Sequence, residues 1–160
     1  LGVEVRFIEY MDVGGATRWS MQDVVSRQEM VRRLSAHFGA ITAVDETTAA
    51  PADRFTLPDG TVFGIISSTT EPFCRLCDRS RLTADGLWYS CLYARTGTDL
   101  RGPLRSGIGA SSLRDLIAST WQARDDRGAE ERLTTKDRST LIPVETLLDK
   151  PHLEMHTRGG

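Results

Sequence analysis

All three cysteines of this 160-residue chain lie in one short stretch, and that stretch limits the possible folds more than any other feature. Cys74 and Cys77 form a C-x-x-C pair, and the residues from there to Cys91 indicate a β-hairpin that turns at Ala84-Asp85-Gly86. Asp-Gly between two runs of strand-forming residues is a strong hairpin signal. Cys77 and Cys91 are equally distant from Ala84, so the hairpin would bring the third thiol opposite the pair. The pattern predicts three converging thiolates and therefore a metal site.

Two arginines follow Cys77 at the spacing of a β-strand. Side chains two residues apart lie on the same face of a strand, so Arg79 and Arg81 would share the face of Cys77. The planar guanidinium group suits phosphate oxygens, and its charge would partly offset the charge of the thiolates. The pair therefore indicates an anionic ligand beside the metal.

The number of cysteines leaves the kind of metal site open. A closed structural zinc site takes four protein ligands, and His37, His152 or His156 is available as the fourth ligand of a Cys₃His site. Three protein ligands alone would leave an open position, as in an iron–sulfur or catalytic metal site. Incidental cysteines are a third interpretation. A disulfide framework is disfavoured because the cysteine count is odd and low.

Composition indicates a soluble domain of ordinary size. The hydrophobic fraction of 39% is sufficient for a core, and a formal net charge of −2 gives no global attraction for nucleic acid. No apolar run approaches the roughly 18 residues of a membrane helix, and no signal-peptide pattern is present. These features favour a reducing cytoplasm and no membrane partner. The chain enters a strand at once and without a Met, which predicts a fragment of a longer protein.

Periodicity and turn signals predict strands and helices in alternation. Residues 3–10 alternate as a strand, and Ser26 with Glu29 matches a helix capping box. The other predicted elements are a helix over 27–38, a short strand over 41–44, a hairpin of 54–57 with 61–66, a strand continuing over 92–94, and a helix capped by Ser112. The apolar stripe of that last helix would pack in the core or form a dimer interface. We expect residues 124–132 to be a solvated helix end and the tail from Thr134 to be frayed.

Arg6 lies within the first predicted strand. If the strand belongs to a barrel, an inward arginine is costly unless it is paired or binds an anion. The alternative is a salt bridge to Glu4 or Glu9 at the end of the strand.

Several stretches of the chain match a known family. They are E-P-F-C-R-L-C-D-R-S-R-L-T-A-D-G-L-W-Y-S-C-L-Y-A at 71–94, V-R-F-I-E-Y-M-D-V-G-G at 5–15, W-Q-A-R-D-D-R at 121–127 and the terminal Gly159-Gly160. Together they resemble the MoaA-type radical-SAM GTP cyclases of molybdenum cofactor biosynthesis. The resemblance covers nearly the whole chain, and its C-x-x-C-D-R-S-R-L hairpin is highly specific.

The resemblance implies an α/β fold. Residues 1–50 would supply the last strands and a covering helix of an incomplete (β/α) radical-SAM barrel. Residues 51–160 would form a hairpin-rich iron–sulfur subdomain with covering helices and the C-terminal tail. The half of the barrel that binds S-adenosylmethionine (SAM), with its own 4Fe–4S cluster, would lie upstream, since this chain has no further cysteines to bind one.

The resemblance also assigns functional residues. Cys74, Cys77 and Cys91 would hold a substrate-side 4Fe–4S cluster with one iron open to a guanine nitrogen. The substrate and cofactor would be bound by Arg79, Arg81, Arg6 and Met11. Gly159 and Gly160 would reach into the active site, although Arg158 stands where the family commonly has an apolar residue. GTP is the expected substrate, and the complete enzyme is expected to be a homodimer.

Overall fold

The computed structural model describes residues 2–13 and 18–154 of the chain. The elements are β1 (Val5–Ile8), α1 (Arg27–Phe38), β2 (Thr42–Ala43), β3 (Asp53–Thr56), β4 (Val62–Ile66), β5 (Arg81–Leu82), β6 (Leu87–Tyr89), β7 (Thr98–Asp99), α2 (Arg101–Arg105), α3 (Ala110–Gln122), α4 (Gly128–Leu133) and α5 (Val144–Asp149). The predicted mixed α/β class is confirmed. None of the described helices has the length and apolar character needed to cross a membrane.

The chain divides into two compact units, each with a sheet of its own. The first unit comprises residues 2–12, Arg18–Asp78 and Ala129–Ser139, and the second comprises Val13, Arg79–Gly128 and residues 140–154. Strands β1 to β4 form the sheet of the first unit, and β5 to β7 form that of the second. Both units are therefore built from segments that are distant in sequence.

The sheet of the first unit has the strand order β1-β4-β3-β2. Strands β3 and β4 form the predicted hairpin, with Phe55 opposite Phe63, and Gly60 takes the positive φ of +86° that its turn requires. Strand β1 runs parallel to β4, with Phe7 opposite Ile65. Because parallel strands end at the same edge of a sheet, the residues that follow β1 and β4 come together.

Helix α1 has the predicted bounds and packs on this sheet. The Ser26 hydroxyl caps it by accepting a hydrogen bond from the Glu29 amide at 3.3 Å. The core consists of Phe55, Phe63 and Ile65, and the half-buried apolar residues packed against it are Met30, Val31, Leu34, Ile41 and Leu57. On the solvent side, hydrogen bonds from Arg32 and Arg33 lower the pKa of Glu29 to about 2. The two arginines thus form a solvated face of the helix.

The second unit contains the predicted cysteine-region hairpin. Strands β5 and β6 pair Arg81 with Tyr89 and Leu82 with Trp88, and Gly86 has a φ of +84°. Trp88 also stacks on Trp121 of α3, with the ring centroids 6.1 Å apart. The predicted hairpin is confirmed.

Helix α3 begins two residues before the predicted cap at Ser112. Gly109 is its extended N-terminal residue, and the Gly109 carbonyl accepts a hydrogen bond from the Leu113 amide at 3.0 Å. Ser112 therefore lies inside the first turn. The stripe of this helix is only half-buried, and Ile117 is 37% exposed.

Three other sequence predictions are wrong. Residues 92–94 form a turn and not a strand, because the Ala94 amide donates to the Cys91 carbonyl at 3.2 Å. The charged run 124–132 is not a solvated helix end, because the Arg124 side chain is only 10% exposed and lies 4.7 Å from the Trp121 ring centroid. Residues 134–154 are not a frayed tail, since they include α5 and the buried residues Leu141, Ile142 and Leu147.

Candidate functional site

The C-x-x-C pair occupies one tight turn in the first unit. Cys74–Leu76 forms a single 3₁₀ turn, and the Cys77 amide donates to the Cys74 carbonyl at 3.2 Å. Both thiols are half-buried and neither forms a disulfide. A tight turn between the two cysteines is the local backbone conformation that a C-x-x-C metal-binding pair uses.

Cys91 lies in the second unit, just beyond β6. Its side chain is half-buried, and its Sγ atom accepts a hydrogen bond from the Tyr93 amide at 3.4 Å. A Cβ atom on Gly128 would lie 3.3 Å from this sulfur and 2.4 Å from Cβ of Tyr93. The glycine therefore leaves room beside the thiol that a side chain would fill.

The convergence of the three thiols remains a prediction. Across the described ranges 2–13 and 18–154, no three His, Cys, Asp or Glu side chains are arranged to hold a metal ion. The hairpin register also differs from the predicted symmetry, because the observed pairs are centred on Asp85 and not on Ala84. Continued outward, that register would place Arg79, and not Cys77, opposite Cys91.

Burial around β5 follows the predicted alternation. Arg79 and Arg81 are half-buried, whereas their neighbours Asp78, Ser80 and Leu82 are exposed. Both arginines belong to the same unit as Cys91. The side chains assigned to anion binding are thus partly withdrawn from water, where a charge-assisted contact is stronger.

Arg6 forms the ion pair that was the alternative interpretation of this residue. Its Nε atom lies 2.8 Å from Oε1 of Glu4, while Nε of Arg54 donates to Oε2 of Glu4 at 2.9 Å. The hydrogen bond from Arg6 is the main cause that lowers the pKa of Glu4, and Arg54 adds to it. The Arg6 side chain is 48% exposed, so the pair alone is expected to stabilise the fold only slightly.

A buried polar cluster lies where β1 and β4 end. Glu9 is 1% exposed, and each oxygen of its carboxylate accepts two hydrogen bonds. Oε1 accepts from the Arg27 amide at 2.8 Å and the Thr70 hydroxyl at 2.6 Å, and Oε2 accepts from the Thr69 and Thr70 amides at 2.9 and 2.8 Å. The carboxylate ties the end of β1 to the residues after β4 and to the start of α1.

Asp12 is the second buried carboxylate of this cluster. Its Oδ2 atom accepts hydrogen bonds from Nε of Arg132 at 2.7 Å and from Nε of Arg138 at 2.8 Å. Burial would raise the pKa of Asp12, but the hydrogen bonds from Arg138 and Arg132 outweigh burial and hold that pKa below its usual value. Sequence reasoning missed this cluster, including the contacts of both carboxylates.

The remaining predicted residues are only partly described. Met11 is half-buried between Tyr10 and Asp12, and His37 is exposed in the last turn of α1. Gly159, Gly160 and His156 lie outside the described residues, and the side chain of His152 is not described.

The close approach at Gly128 gives a first prediction. Gly128→Ala is expected to lower the free energy of unfolding by about 1–3 kcal/mol, because the new Cβ collides with backbone-proximal atoms that cannot rotate away. Gly109→Ala is the matched control in the same unit, since its Cβ would meet nothing nearer than Ser111 Oγ at 4.0 Å. Urea unfolding measures both changes. Equal losses in the two variants would show that the space beside Cys91 is not tight.

Comparison with known proteins agrees with the family resemblance of the cysteine hairpin and the other motifs. Residues 3–130 match the family model described as Molybdenum Cofactor Synthesis C. The chain is 54% identical over 160 residues to "GTP 3',8-cyclase 1" of Mycobacterium tuberculosis, 54% identical to "GTP 3',8-cyclase 3" of Mycobacterium bovis and 41% identical to "GTP 3',8-cyclase" of Parasynechococcus marenigrum. These alignments cover 99–100% of the chain but only 45%, 42% and 42% of the three relatives, so the chain spans less than half of their length. As the resemblance predicted, the chain belongs to the Molybdenum Cofactor Synthesis C family.

Proposed function

We propose that this chain is the C-terminal, GTP-binding part of a radical-SAM GTP 3',8-cyclase, which acts in the first step of molybdenum cofactor biosynthesis. The observation that carries the proposal is the alignment of the whole chain, at 54% identity, with proteins named GTP 3',8-cyclase. The paired arginines beside the cysteine hairpin supply a chemical reason, because GTP carries a triphosphate that guanidinium groups bind well.

The fold supports a barrel origin for the first unit. A parallel pair of strands, β1 and β4, with α1 in the connection between them is the arrangement from which (β/α) barrels are built. The ends of the two strands carry Glu9 and the segment Ser67–Thr70, and active sites in such folds lie at the carboxyl ends of the strands. We therefore propose that residues 1–50 supply the last barrel strand and its covering helix. Residues 51–160, which contribute β4 beside that strand, would form the cluster-binding part.

The chemistry of the three thiols fits an iron–sulfur cluster. Thiolate is the usual ligand of such clusters, and hydrogen bonds to the sulfurs tune them. Cys74, Cys77 and Cys91 would hold the cluster, the Tyr93 amide would donate to the Cys91 sulfur, and Gly128 leaves space beside it. When bound, a 4Fe–4S cluster with three protein ligands offers one iron that can coordinate a guanine nitrogen.

Charged side chains of this chain would orient the substrate. Arg79 and Arg81 would bind phosphate oxygens from the half-buried face of β5. Arg6, which now pairs with Glu4, would exchange that partner for an anionic group of the ligand. Met11 would contact the substrate or SAM from the loop after β1, and Gly159 with Gly160 would complete the site.

SAM and a second 4Fe–4S cluster would be bound by the part of the enzyme outside this chain. We expect the complete enzyme to be a homodimer.

Iron loading tests the proposal directly. Reconstitution of the chain with iron and sulfide under argon is expected to give a brown protein with about four irons per chain and broad absorption near roughly 400 nm. The double variant His152→Ala/His156→Ala is the control, and its iron content is expected to be unchanged because neither histidine is a ligand. Iron and zinc are measured by elemental analysis.

The alternative is a non-catalytic Cys₃His zinc ribbon that serves protein interaction. A colourless protein that retains one zinc, and loses it in the histidine double variant, would establish the ribbon and contradict the cyclase assignment.

A further inference from the structure

The loop after β1 is held on both sides of Met11. On one side, the Tyr10 carbonyl accepts hydrogen bonds from Trp19 Nε1 at 3.0 Å and from the Thr69 hydroxyl at 3.1 Å. On the other side, Asp12 is fully buried and accepts from two arginines. The backbone of Met11 therefore has fixed neighbours in both directions.

Both arginines come from the segment Ala129–Ser139, far along the chain. Arg132 approaches Asp12 with two nitrogens, Nε at 2.7 Å and Nη2 at 2.6 Å, and also donates to the Ser139 carbonyl. Its side chain is 15% exposed. An arginine that binds both a buried carboxylate and its own segment fixes the distance between them, because its donors form a rigid planar group.

Arg138 extends the connection to the residues after β4. Its Nε atom donates to Asp12 at 2.8 Å, and its Nη1 atom donates to the Thr69 carbonyl at 2.9 Å. The guanidinium carbon lies 5.2 Å from the Trp19 ring centroid, and the side chain is 8% exposed. One guanidinium group thus contacts the loop after β1, the loop after β4 and Trp19.

We propose that Arg132 and Arg138 are positioning residues that fix Met11, and with it the end of β1, in the geometry that the active site requires. We call this group, Asp12 with Arg132 and Arg138, the arginine clamp. The inference rests on the proposed function, since Met11 is assigned there to the substrate or cofactor. A displacement of about 1 Å at a residue that contacts the substrate can lower the reaction rate about a hundredfold. The clamp would prevent such a displacement of Met11.

The clearest test is Arg138→Lys in the full-length cyclase. An ammonium keeps the charge beside Asp12 but cannot bond Asp12 and the Thr69 carbonyl in the fixed geometry of a guanidinium. We expect hydrogen exchange in peptides covering residues 10–13 to accelerate about tenfold and the dissociation constant of GTP or SAM to rise about tenfold, with unchanged iron content.

A second variant and a control complete the design. Asp12→Asn together with Arg138→Met removes one charge of each sign, so it breaks the clamp without changing the net charge of the protein. It should show the same two changes. Arg33→Lys, which alters an exposed pair with Glu29, should show neither change.

The outcomes separate the clamp from the proposed function. Accelerated exchange with weaker ligand binding in both clamp variants supports the inference. Unchanged exchange overturns it, and so does accelerated exchange with unchanged affinity, because the clamp would then only stabilise the fold. If the unmodified enzyme binds neither GTP nor SAM, the proposed function fails, and the exchange rates still decide whether the clamp holds the loop.

Discussion

Glu9→Ala is expected to lower the free energy of unfolding by about 3 kcal/mol or more, because each buried donor left without a partner costs about 1–3 kcal/mol. The carboxylate of Glu9 accepts four hydrogen bonds, and three of them come from the backbone amides of Arg27, Thr69 and Thr70. Backbone donors cannot turn to new partners without moving the chain. The change is measured as the shift of the urea unfolding midpoint.

Two further variants define the cause of that loss. Glu9→Gln keeps one acceptor oxygen but turns an NH₂ group toward two donors, so a smaller loss of about 1–2 kcal/mol is expected. Glu131→Ala is the control, because Glu131 is exposed in the same unit and its loss should cost less than about 0.5 kcal/mol. If Glu9→Ala is no more destabilising than Glu131→Ala, water satisfies the donors and Glu9 does not hold the strand ends together.

The features that could be predicted from the sequence are local ones. The hairpins of β3 with β4 and of β5 with β6 depend on Asp-Gly turns, and Gly60 and Gly86 adopt the positive φ angles that such turns need. The bounds of α1 follow from the Ser26 cap and from Gly39, whose φ is +94°. In each case, residues within a few positions determine the conformation, so a single sequence contains enough information.

The features that could not be predicted depend on distant partners. Asp12 meets Arg132 and Arg138 at separations of 120 and 126 residues. A charged run is usually solvated, so the pattern at 124–132 carries no sign that the Arg132 side chain is half-buried. Only the parallel pairing of β1 with β4, which gathers the polar residues after both strands, creates the environment in which Asp12 needs a cationic partner.

The cysteine region shows the same limit within a single motif. The turn at Asp85-Gly86 could be predicted, but its register could not, and a shift of one residue changes which side chain faces Cys91. Arg6 is a similar case. Its strand could be predicted from the sequence, but the ion pair with Glu4 instead of Glu9 could not. Glu9 instead accepts four hydrogen bonds from Arg27, Thr69 and Thr70.

The largest expected effect on activity concerns the end of the chain. The resemblance implies that Gly159 and Gly160, which lie outside the described residues, reach into the active site, where only residues without side chains fit a narrow channel. In the full-length protein, one Ala appended after Gly160 is expected to lower the proposed turnover of GTP by about a hundredfold or more. The addition keeps both glycines but moves the terminal carboxylate by roughly 3.5 Å, which is enough to break a charge-assisted contact.

Deletion of Gly159-Gly160 is the companion variant and should cause a loss of the same order, because it withdraws the carboxylate instead of advancing it. Iron content and the urea midpoint should stay unchanged in both, since the buried residues Leu141, Ile142 and Leu147 of the second unit all precede the glycines. Turnover of GTP is measured alongside them at saturating SAM. The two variants displace the carboxylate in opposite directions, so loss in both with an intact fold would show that turnover depends on where the chain ends. Full turnover in both would show that the tail has no part in catalysis.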